Sequence, residues 1–323
     1  MKRESQIMKK LIAVILAVLM IVSMTACSSA KKDTYVIGIC QIAPHDALDA
    51  ATKGFMDALT EVFGEKVTFK NENAGGEYNN CTTIIDGFVV ENVDMILANA
   101  TGPLQAAHAA TNKIPILGTS VTDYATALNI TGWTGTVGGN ISGTSDLAPL
   151  DQQAAMVKEL FPDAKTVGLL YCSGEPNSVY QIEKMEAYLA DLGYTCTRYG
   201  FADVNDLPAV TQTACDNSDV IYIPTDNTAA NNTETIANVV IPAGVPVVTG
   251  EANTCAGCGV ASLSIDYYDL GYTTGKMAAE ILQGNADIST MAVKFAPEVT
   301  KMYNAANCAA LGVTIPDGYQ VIE

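Results

Sequence analysis

The chain has 323 residues, enough to bury a sizeable core and, by length alone, to favour two domains. Its 17 basic and 35 acidic residues give a formal net charge of −18, which argues against nucleic acid and anionic membrane surfaces as partners. Four of the basic residues and one acidic residue lie within residues 1–26, and Arg198 is the only arginine beyond that point. A bidentate guanidinium site for a carboxylate or a phosphate is therefore nearly excluded.

Residues 1–26 have the pattern of an export signal. Two lysines precede an unbroken apolar segment, Leu11–Val22, and small residues follow it. This order defines a secretory signal, and the apolar segment is too short to cross a membrane as an ordinary helix. Met8 serves as well as Met1 for the start of translation.

The segment Met24–Cys27 resembles a bacterial lipobox, whose cysteine receives diacylglycerol and becomes the first residue of the mature protein. Two acyl chains suffice for stable anchoring to a membrane. We therefore expect lipidation at Cys27 and a tether over residues 27–33. The exported protein would then be anchored to the outer face of the bacterial cytoplasmic membrane. The alternative is a signal that is cleaved without lipidation.

Beyond the tether, short apolar runs of the buried-strand type alternate with helical patterns. Such an alternation predicts parallel strands joined by crossover helices, with ligands bound beyond the carboxyl ends of the strands. The segment Thr131–Gly143 is rich in Gly and Thr and predicts turns, without a helix, near a crossover. The first half predicts, in chain order, strand Tyr35–Cys40, helix Ala47–Phe63, strand Val67–Phe69, helix Cys81–Val90, strand Met95–Ala98, helix Pro103–Thr111 and strand Ile114–Gly118.

The second half continues the alternation and adds a tail. It predicts helix Gln152–Leu160, strand Val167–Tyr171, helix Asn177–Leu192, strand Thr195–Phe201, helix Leu207–Cys215, strand Val220–Ile223, helix Asn231–Val239 and strand Val245–Val248. The tail predicts strand Ala261–Ile265, helix Tyr268–Leu282, strand Val293–Asn304 and helix Ala305–Leu311.

The two halves repeat one pattern. Asn92–Gly102 and Asn217–Asn227 each consist of a polar lead-in, a short apolar run and a loop of small polar residues. A further apolar strand follows each copy, at Lys113–Thr119 and at Gly244–Gly250. This doubling predicts an α/β protein with two doubly wound parallel-sheet lobes. One large doubly wound sheet, the alternative, accounts for the strands but not for the doubling.

Few residues could carry catalytic or metal chemistry. His108 lies in a predicted helix and is interpreted as a surface residue. His45 follows the first strand, where it either lines a ligand cleft or faces solvent. The sequence contains no Gly-rich dinucleotide fingerprint, nucleophile elbow or P-loop lysine. We therefore expect no enzymatic activity, no cofactor and no metal site.

Nine cysteines in an exported protein invite disulfides. Several lie inside apolar strands or helices, where a free thiol behaves as a small hydrophobic group. Cys255 and Cys258 have the spacing of a redox motif or half a zinc site, but the approach to a strand follows them rather than a helix. Three alternatives remain for Cys255 and Cys258: a local loop disulfide or free thiols, disulfides to cysteines elsewhere in the chain, or a redox or metal role.

The strongest signal for a site lies between the opening strand of the second half and its helix. The residues there include two candidate helix caps and an early proline. Free backbone N–H groups at a helix start bind an anionic group without arginine. The alternative is ordinary capping. The segment consists of Ser173, Gly174, Glu175, Pro176, Asn177 and Ser178.

From Val36 to about Tyr319 the chain resembles the ABC-transporter substrate-binding lipoproteins of the tryptophan/tyrosine type, which share the type I periplasmic-binding-protein fold. It departs from their pattern at Tyr124, where proline is usual, at Thr131–Val137, at Cys172 and in the Cys255–Cys258 segment. The matching stretches are Gln41–Ile42, His45–Ala50, Thr119–Asp123, Asn140–Leu147, Leu160–Lys165, Pro176–Ser178, Pro224–Thr228 and Ile265–Gly271.

The resemblance implies a monomeric receptor that closes on a small solute, often an aromatic amino acid, and delivers it to an ABC permease. Its lobes would comprise residues 34–143 with 266–292 and residues 144–265 with 293–323, joined by a multi-strand hinge. One alternative is a sensory ligand-binding module of the same fold. A weaker alternative is an exported thiol-redox protein that uses Cys255 and Cys258.

We expect the ligand to be a zwitterionic amino acid. Its carboxylate would meet Ser173, Asn177, Ser178 and the helix start, because a helix start suits an anion. Its ammonium would meet Asp226, with Asp266 or Glu251 as alternatives. The side chain would lie against Ile42, His45, Thr101, Ser120 and Tyr124. The candidate site also includes Gln41, Thr122, Gly174, Glu175, Thr225 and Asn227.

Overall fold

The computed structural model of the protein describes residues 34–296 and 298–322. The predicted signal, the tether and Cys27 lie outside the described residues. None of the helices described is both long and apolar enough to cross a membrane.

The described residues form two β-sheets, each with one sequence half at its centre. The first sheet has the order β11-β5-β4-β3-β1-β2, and its strands pair in parallel. Its strands are β1 (Tyr35–Gln41), β2 (Val67–Asn73), β3 (Met95–Asn99), β4 (Ile116–Val121), β5 (Ile141–Ser145) and β11 (Lys294–Phe295). The predicted α/β fold with two parallel-sheet lobes is confirmed.

The second sheet has the order β13-β12-β10-β9-β8-β6-β7. All its pairs are parallel except β10 with β12, which is antiparallel. Its strands are β6 (Thr166–Cys172), β7 (Thr195–Phe201), β8 (Val220–Ile223), β9 (Val247–Thr249), β10 (Ala261–Ser264), β12 (Thr300–Tyr303) and β13 (Gln320–Val321).

Helices connect the strands and cover the sheets. In chain order they are α1 (Asp46–Phe63), α2 (Tyr78–Glu91), α3 (Thr101–Ala110), α4 (Tyr124–Leu128), α5 (Leu150–Leu160), α6 (Pro176–Asp191), α7 (Leu207–Asp216), α8 (Asn227–Ala230), α9 (Thr233–Ala243), α10 (Ala252–Cys258), α11 (Tyr267–Leu282) and α12 (Ala305–Leu311). Two 3-10 turns lie at Gly64–Lys66 and Ile288–Thr290.

Both faces of each sheet are buried, as the continuous apolar runs predict. In β3, Ile96 packs into one core cluster and Leu97 into the cluster on the opposite face. In β8, Tyr222 and Ile221 divide between two clusters in the same way. Successive side chains of a strand point to opposite faces, so these runs require helices on both sides.

The chain passes between the two sheets three times within the described residues: from β5 to α5, from β10 to α11, and from β11 to β12. Helix α11 follows a strand of the second sheet but packs against α1 of the first. Glycine permits this contact, because a Cβ on Gly271 would lie 1.9 Å from the carbonyl oxygen of Ala51. The predicted lobe boundaries at 143/144 and 292/293 lie a few residues before the chain leaves the first sheet, and they stay a prediction.

Two sequence-based assignments are wrong. The predicted strand Val293–Asn304 is two short strands in different sheets, because this segment crosses between the lobes. No helix was predicted at α4, α8 or α10, since four to seven residues are too few to establish a helical period. An acidic side chain caps each of the three. Two of these caps, Asp226 and Glu251, are residues that the sequence analysis assigned to the ligand.

Candidate functional site

A cavity of about 350 Å³ lies between the two lobes. Residues that follow β1 and β2 form its first-lobe wall, and residues that follow β6, β7 and β8 form its second-lobe wall. The lobes meet beside it, where His45 Nε2 lies 3.5 Å from Asn227 Oδ1. The cavity therefore occupies the predicted position, beyond the carboxyl ends of the strands, and has the volume of a small-ligand site.

The cavity is apolar on one part of its wall and acidic or amide-bearing on another. This combination suits a small molecule with an apolar body and a positively charged group. The apolar contributors are Ile42, Ala43, Tyr78, Cys172, Ala202 and Val204. The polar contributors are Glu77, Glu175, Asp203, Asn227, Thr228, Asn231 and Asn232.

Glu175 is the most constrained carboxylate of the wall. It is buried, and its Oε2 accepts hydrogen bonds from the backbone N–H of Asn227 at 3.0 Å and from the Asn177 amide at 3.0 Å. Its Oε1 accepts from the backbone N–H and the hydroxyl of Thr228 at 2.8 and 2.7 Å. These donors hold a fixed negative charge at the start of α8. Sequence reasoning placed Glu175 in the site without assigning it this role.

Asp226, the predicted partner of the ligand's ammonium, lies behind the wall. It is 1 % exposed, and its carboxylate accepts from the backbone N–H of Cys172 at 2.6 Å and of Ala229 at 2.8 Å. Burial, followed by the charge of Glu175, raises the pKa of Asp226 to about 7. Burial and the same charge raise the pKa of Tyr78 on the facing lobe. Glu175, rather than Asp226, is the carboxylate at the cavity surface.

The predicted carboxylate contacts at the start of α6 are already engaged. Ser173 is exposed, and its hydroxyl donates to the carbonyl oxygen of Phe201 at 3.1 Å. Ser178 is fully buried, and its hydroxyl accepts a hydrogen bond from the Asn177 amide at 3.3 Å. The Asn177 amide donates to Glu175, whose own carboxylate lies where the ligand's was expected. Because two buried carboxylates already lie there, the geometry disfavours a third.

The other two acids of the sequence analysis are helix caps. Glu251 is buried and accepts from the backbone N–H groups of Asn253 and Thr254 at 2.7 and 2.5 Å at the start of α10. Asp266 is exposed and accepts from the backbone N–H of Asp269 at 2.9 Å at the start of α11. Neither lines the cavity.

The first-lobe candidates divide between the cavity and the core. Ile42 lines the cavity, whereas Gln41 is buried in a network in which its Oε1 accepts from the Thr52 hydroxyl at 2.7 Å. Tyr124 is also in the core: its hydroxyl donates to the carbonyl oxygen of Thr144 at 3.1 Å, and its ring stacks on Trp133. Tyr124 therefore does not line the cavity, and its contact with the ligand's side chain stays a prediction.

Thr101 and Thr225 have positions that the sequence anticipated. Thr101 is buried at the first position of α3, directly after β3. Thr225 follows β8, and its carbonyl oxygen accepts from Asn177 at 3.2 Å and from Gln181 at 3.0 Å. Gly174 lies on the cavity wall. Of these three residues, Gly174 alone lines the cavity.

Three predicted residues have buried polar atoms without a partner. Among the described residues these atoms include His45 Nδ1, Ser120 Oγ and Asn177 Oδ1. Ser120 also has a left-handed backbone, with φ at +53°. Buried polar atoms are seldom left unpaired, and each such atom calls for a ligand, a water or a functional reason. Ser120 is the penultimate residue of β4, and His45 and Asn177 follow the carboxyl ends of β1 and β6, where the ligand is expected.

Asp146 and Tyr267, which the sequence analysis did not place in the site, lie at the crossings between the lobes. Asp146 directly follows β5 and is 3 % exposed. It accepts hydrogen bonds from the hydroxyls of Thr122 and Tyr267, both at 3.0 Å. Burial raises the pKa of Asp146 to about 6. The signal available in the sequence was an acid immediately after a strand.

The cysteines within the described residues are free thiols. Cys255 and Cys258 are fully buried in α10, and the Cys258 thiol donates to the carbonyl oxygen of Thr254 at 3.3 Å. Burial raises the pKa of both thiols, whereas a redox nucleophile needs a lowered pKa and access. Within the described part of the chain, no group of three or more His, Cys, Asp or Glu side chains could hold a metal ion.

The fold and the cavity together define a two-lobed solute-binding protein. The chain belongs to the ABC transporter substrate binding protein family, whose model matches residues 36–322. This match confirms the resemblance and identifies a binding protein that captures a small molecule outside the cytoplasm for an ABC permease. It favours transport over the sensory and thiol-redox alternatives.

Several relatives are known. The chain is 32 % identical over 295 residues to a tyrosine-binding protein of Clostridioides difficile strain R20291, covering 86 % of this chain and 85 % of that protein. It is 30 % identical to an ABC domain of Streptococcus pneumoniae solved with L-Trp, with a TM-score of 0.85 over 90 % of this chain and 100 % of that one.

A third relative bears on the arrangement of the lobes. It is the ligand-free, open structure of a substrate-binding protein with adhesive properties from Clostridium difficile. That structure is 31 % identical and covers 90 % of this chain and 99 % of its own, but its TM-score is 0.69. At nearly equal identity and coverage, this protein therefore superposes more closely on the L-Trp complex than on the open, ligand-free structure.

Proposed function

We propose that the protein captures an amino acid in the interlobe cavity, favouring an aromatic or apolar side chain, and delivers it to the permease. The observation that carries this proposal is the cavity itself, whose wall joins apolar side chains to the buried carboxylate of Glu175. The relatives support it, since one is named tyrosine-binding and another was solved with L-Trp.

The ligand's ammonium is assigned to the second-lobe wall. Glu175 supplies a buried negative charge there, and Asn177 Oδ1 is an acceptor without a partner. Asp226 lies close enough to Glu175 for their charges to interact. A cation relieves this repulsion between carboxylates, whereas an anion would add to it.

The ligand's carboxylate is assigned to the first-lobe side. Ser120 Oγ is an unpartnered hydroxyl that can donate a hydrogen bond to this carboxylate. Hydrogen bonds from neutral donors can replace the arginine that the chain lacks here. The side chain then lies against Ile42, Tyr78 and Val204.

We also propose that the protein is monomeric and is anchored through diacylglycerol on Cys27. The lipobox-like segment and the extracytoplasmic role of the family support the anchor. Labelling with a palmitate analogue tests the anchor, and light scattering tests the monomer.

Calorimetry with L-tryptophan and two analogues tests the orientation. Tryptamine lacks the carboxylate, and 3-indolepropionate lacks the ammonium. Loss of one member of a buried charge pair costs about 2–5 kcal/mol, so 3-indolepropionate should bind roughly thirtyfold more weakly or worse. Tryptamine should retain measurable binding. If 3-indolepropionate binds as tightly as L-tryptophan, the assignment of the ammonium is wrong; if no amino acid binds, the proposed ligand class is wrong.

A further inference from the structure

A hydrogen bond between two side chains joins the lobes directly, away from the crossings. His45 lies between β1 and α1 of the first lobe, and Asn227 is the first residue of α8 in the second lobe. The His45 Nε2 atom lies 3.5 Å from Asn227 Oδ1, and both side chains are half-buried. We call this contact between His45 and Asn227 the interlobe latch.

The orientation of the Asn227 amide decides which partner of the latch is the donor. Asn227 Nδ2 donates to Glu175 Oε2 at 2.7 Å, and the backbone N–H of Asn227 donates to the same oxygen at 3.0 Å. A flipped amide would place its oxygen against the carboxylate, with no hydrogen between them. Oδ1 therefore points to His45. Because Oδ1 can only accept, His45 Nε2 carries the hydrogen and donates it.

The latch acts on the carboxylate that is proposed to meet the ligand's ammonium. Asn227 supplies two of the hydrogen bonds that hold the buried Glu175. A hydrogen bond accepted by the amide oxygen polarises the amide and strengthens the hydrogen bond that its nitrogen donates. His45, on the first lobe, therefore helps to hold a second-lobe group of the ligand site through Asn227.

The latch also lies between two cavities of the interlobe cleft. Asn227 lines the ligand cavity, whereas His45 does not. His45 lines a second cavity of about 390 Å³, together with Asp46 of the first lobe and residues of α8, α9 and α10 of the second lobe. Asn231 lines both cavities. The latch is therefore part of the wall between the two cavities. Since its two residues belong to opposite lobes, rotation of the lobes away from each other separates them.

We propose that His45 is a positioning residue whose Nε2–H holds the two lobes together at Asn227 and thereby slows the escape of a bound ligand, without touching the ligand itself. The proposal rests on the proposed function for the identity of the ligand, and on the latch for its mechanism. Because both partners are protein groups, the latch favours the closed arrangement of the lobes with or without a ligand.

Two substitutions separate the ring nitrogens of His45. A glutamine amide can place its nitrogen near the position of Nε2, whereas an asparagine amide reaches only as far as Nδ1. His45→Gln should therefore keep the latch, and His45→Asn should break it. His45 is also the N-cap of α1 but makes no side-chain cap. Asparagine is a favoured N-cap, so His45→Asn should not destabilise this helix. The matched control is His108→Asn at the chain's other histidine, which is exposed on α3.

Association and dissociation of L-tryptophan and L-tyrosine, measured by stopped-flow methods, form the primary test. His45→Asn should raise the dissociation rate about threefold to fivefold, the lower range for a neutral hydrogen bond, because the latch is longer than usual. The association rate should change little, since the latch forms only as the lobes close. His45→Gln and His108→Asn should dissociate like wild type. A wild-type dissociation rate in His45→Asn, or an equal rise in His45→Gln, would overturn the proposal.

A double-mutant cycle identifies the partner of His45 and distinguishes the latch from a direct contact with the ligand. Asn227→Ala removes the acceptor of the latch together with one donor to Glu175, so it should weaken binding by itself. In that background His45→Asn should have no further effect on the dissociation rate, because its partner is already absent. If His45→Asn has its full effect in Asn227→Ala, His45 acts independently of Asn227 and the latch is refuted.

A ligand-free measurement separates failure of the latch from failure of the proposed function. If wild type binds neither amino acid, the ligand class is wrong, and small-angle X-ray scattering then tests the latch. Ligand-free His45→Asn should have a larger radius of gyration than wild type, His45→Gln and His108→Asn. Equal radii in all four proteins would refute the latch without reference to any ligand.

Discussion

The unfolding free energy should depend on pH through Asp226. Burial and the charge of Glu175 raise the pKa of this carboxyl from 3.8 to about 7, so the folded state binds a proton that the unfolded state has released. The corresponding stability is fully present below the unfolded pKa and is lost as the pH rises through 7. The loss amounts to about 4 kcal/mol at roughly 1.36 kcal/mol per pH unit.

Asp226→Asn tests this dependence, because asparagine keeps the shape and removes the titration. Urea unfolding of wild type between pH 4.5 and pH 8 should give a free energy that falls as the pH rises. In the variant the fall should be smaller by about 3 kcal/mol. The fall that remains comes from Asp146, whose pKa burial raises to about 6 and whose contribution has the same sign.

Asp219→Asn is the control with the opposite sign. Backbone N–H groups of Lys165 and Thr166 donate to the exposed Asp219 carboxylate at 2.7 and 2.8 Å and lower its pKa. Its stabilisation is therefore present above its unfolded pKa and is lost only as the pH falls below about 4. This variant should be less stable than wild type throughout pH 4.5–8, with the same slope. If Asp226→Asn retains the full wild-type slope, the reasoning about Asp226 is refuted.

Three further predictions concern the ligand, the anchor and the buried thiols. Ser120→Ala should weaken L-tryptophan binding about tenfold by calorimetry. Ser218→Ala removes a buried unpartnered hydroxyl before β8 and should leave the affinity unchanged. If Ser120→Ala binds L-tryptophan as tightly as wild type does, Ser120 is not a ligand contact. Cys27→Ala should abolish palmitate labelling and leave unprocessed precursor, and persistent labelling would rule out the lipobox. Replacing Cys255 and Cys258 by Ser should lower the unfolding free energy by about 1–3 kcal/mol with little change in affinity; a hundredfold affinity loss at unchanged stability would contradict their placement.

Local sequence patterns were sufficient for the architecture. The apolar runs at Met95–Asn99 and Val220–Ile223 are buried on both faces, as runs of this type require. Their repetition predicted two sheets. The period of apolar residues along a segment indicates which of its residues are buried, and it does so independently of the rest of the fold. The segment around Thr300 was predicted wrongly, because what the sequence pattern indicated as one strand is β11 in the first sheet and β12 in the second.

The sequence predicted a site at the strand ends but did not separate candidate ligand contacts from helix caps. Asp226 and Glu251 follow strands, as ligand-binding acids do, yet both carboxylates satisfy backbone N–H groups of short helices. A cap and a ligand contact use the same residue types at the same place in the chain. Only the direction of the side chain distinguishes them.

The sequence by itself determined the two-lobed α/β fold and the strand ends where a ligand is expected, because both are encoded in short-range patterns of apolar and polar residues. The family followed from the resemblance of specific stretches of the chain. Only the tertiary structure decided that Glu175 faces the cavity while Asp226 lies behind it, and that Asp146 meets Tyr267 across 121 residues. Such contacts depend on how two sheets and their crossings are placed in space. A periodic pattern along the chain does not specify that placement.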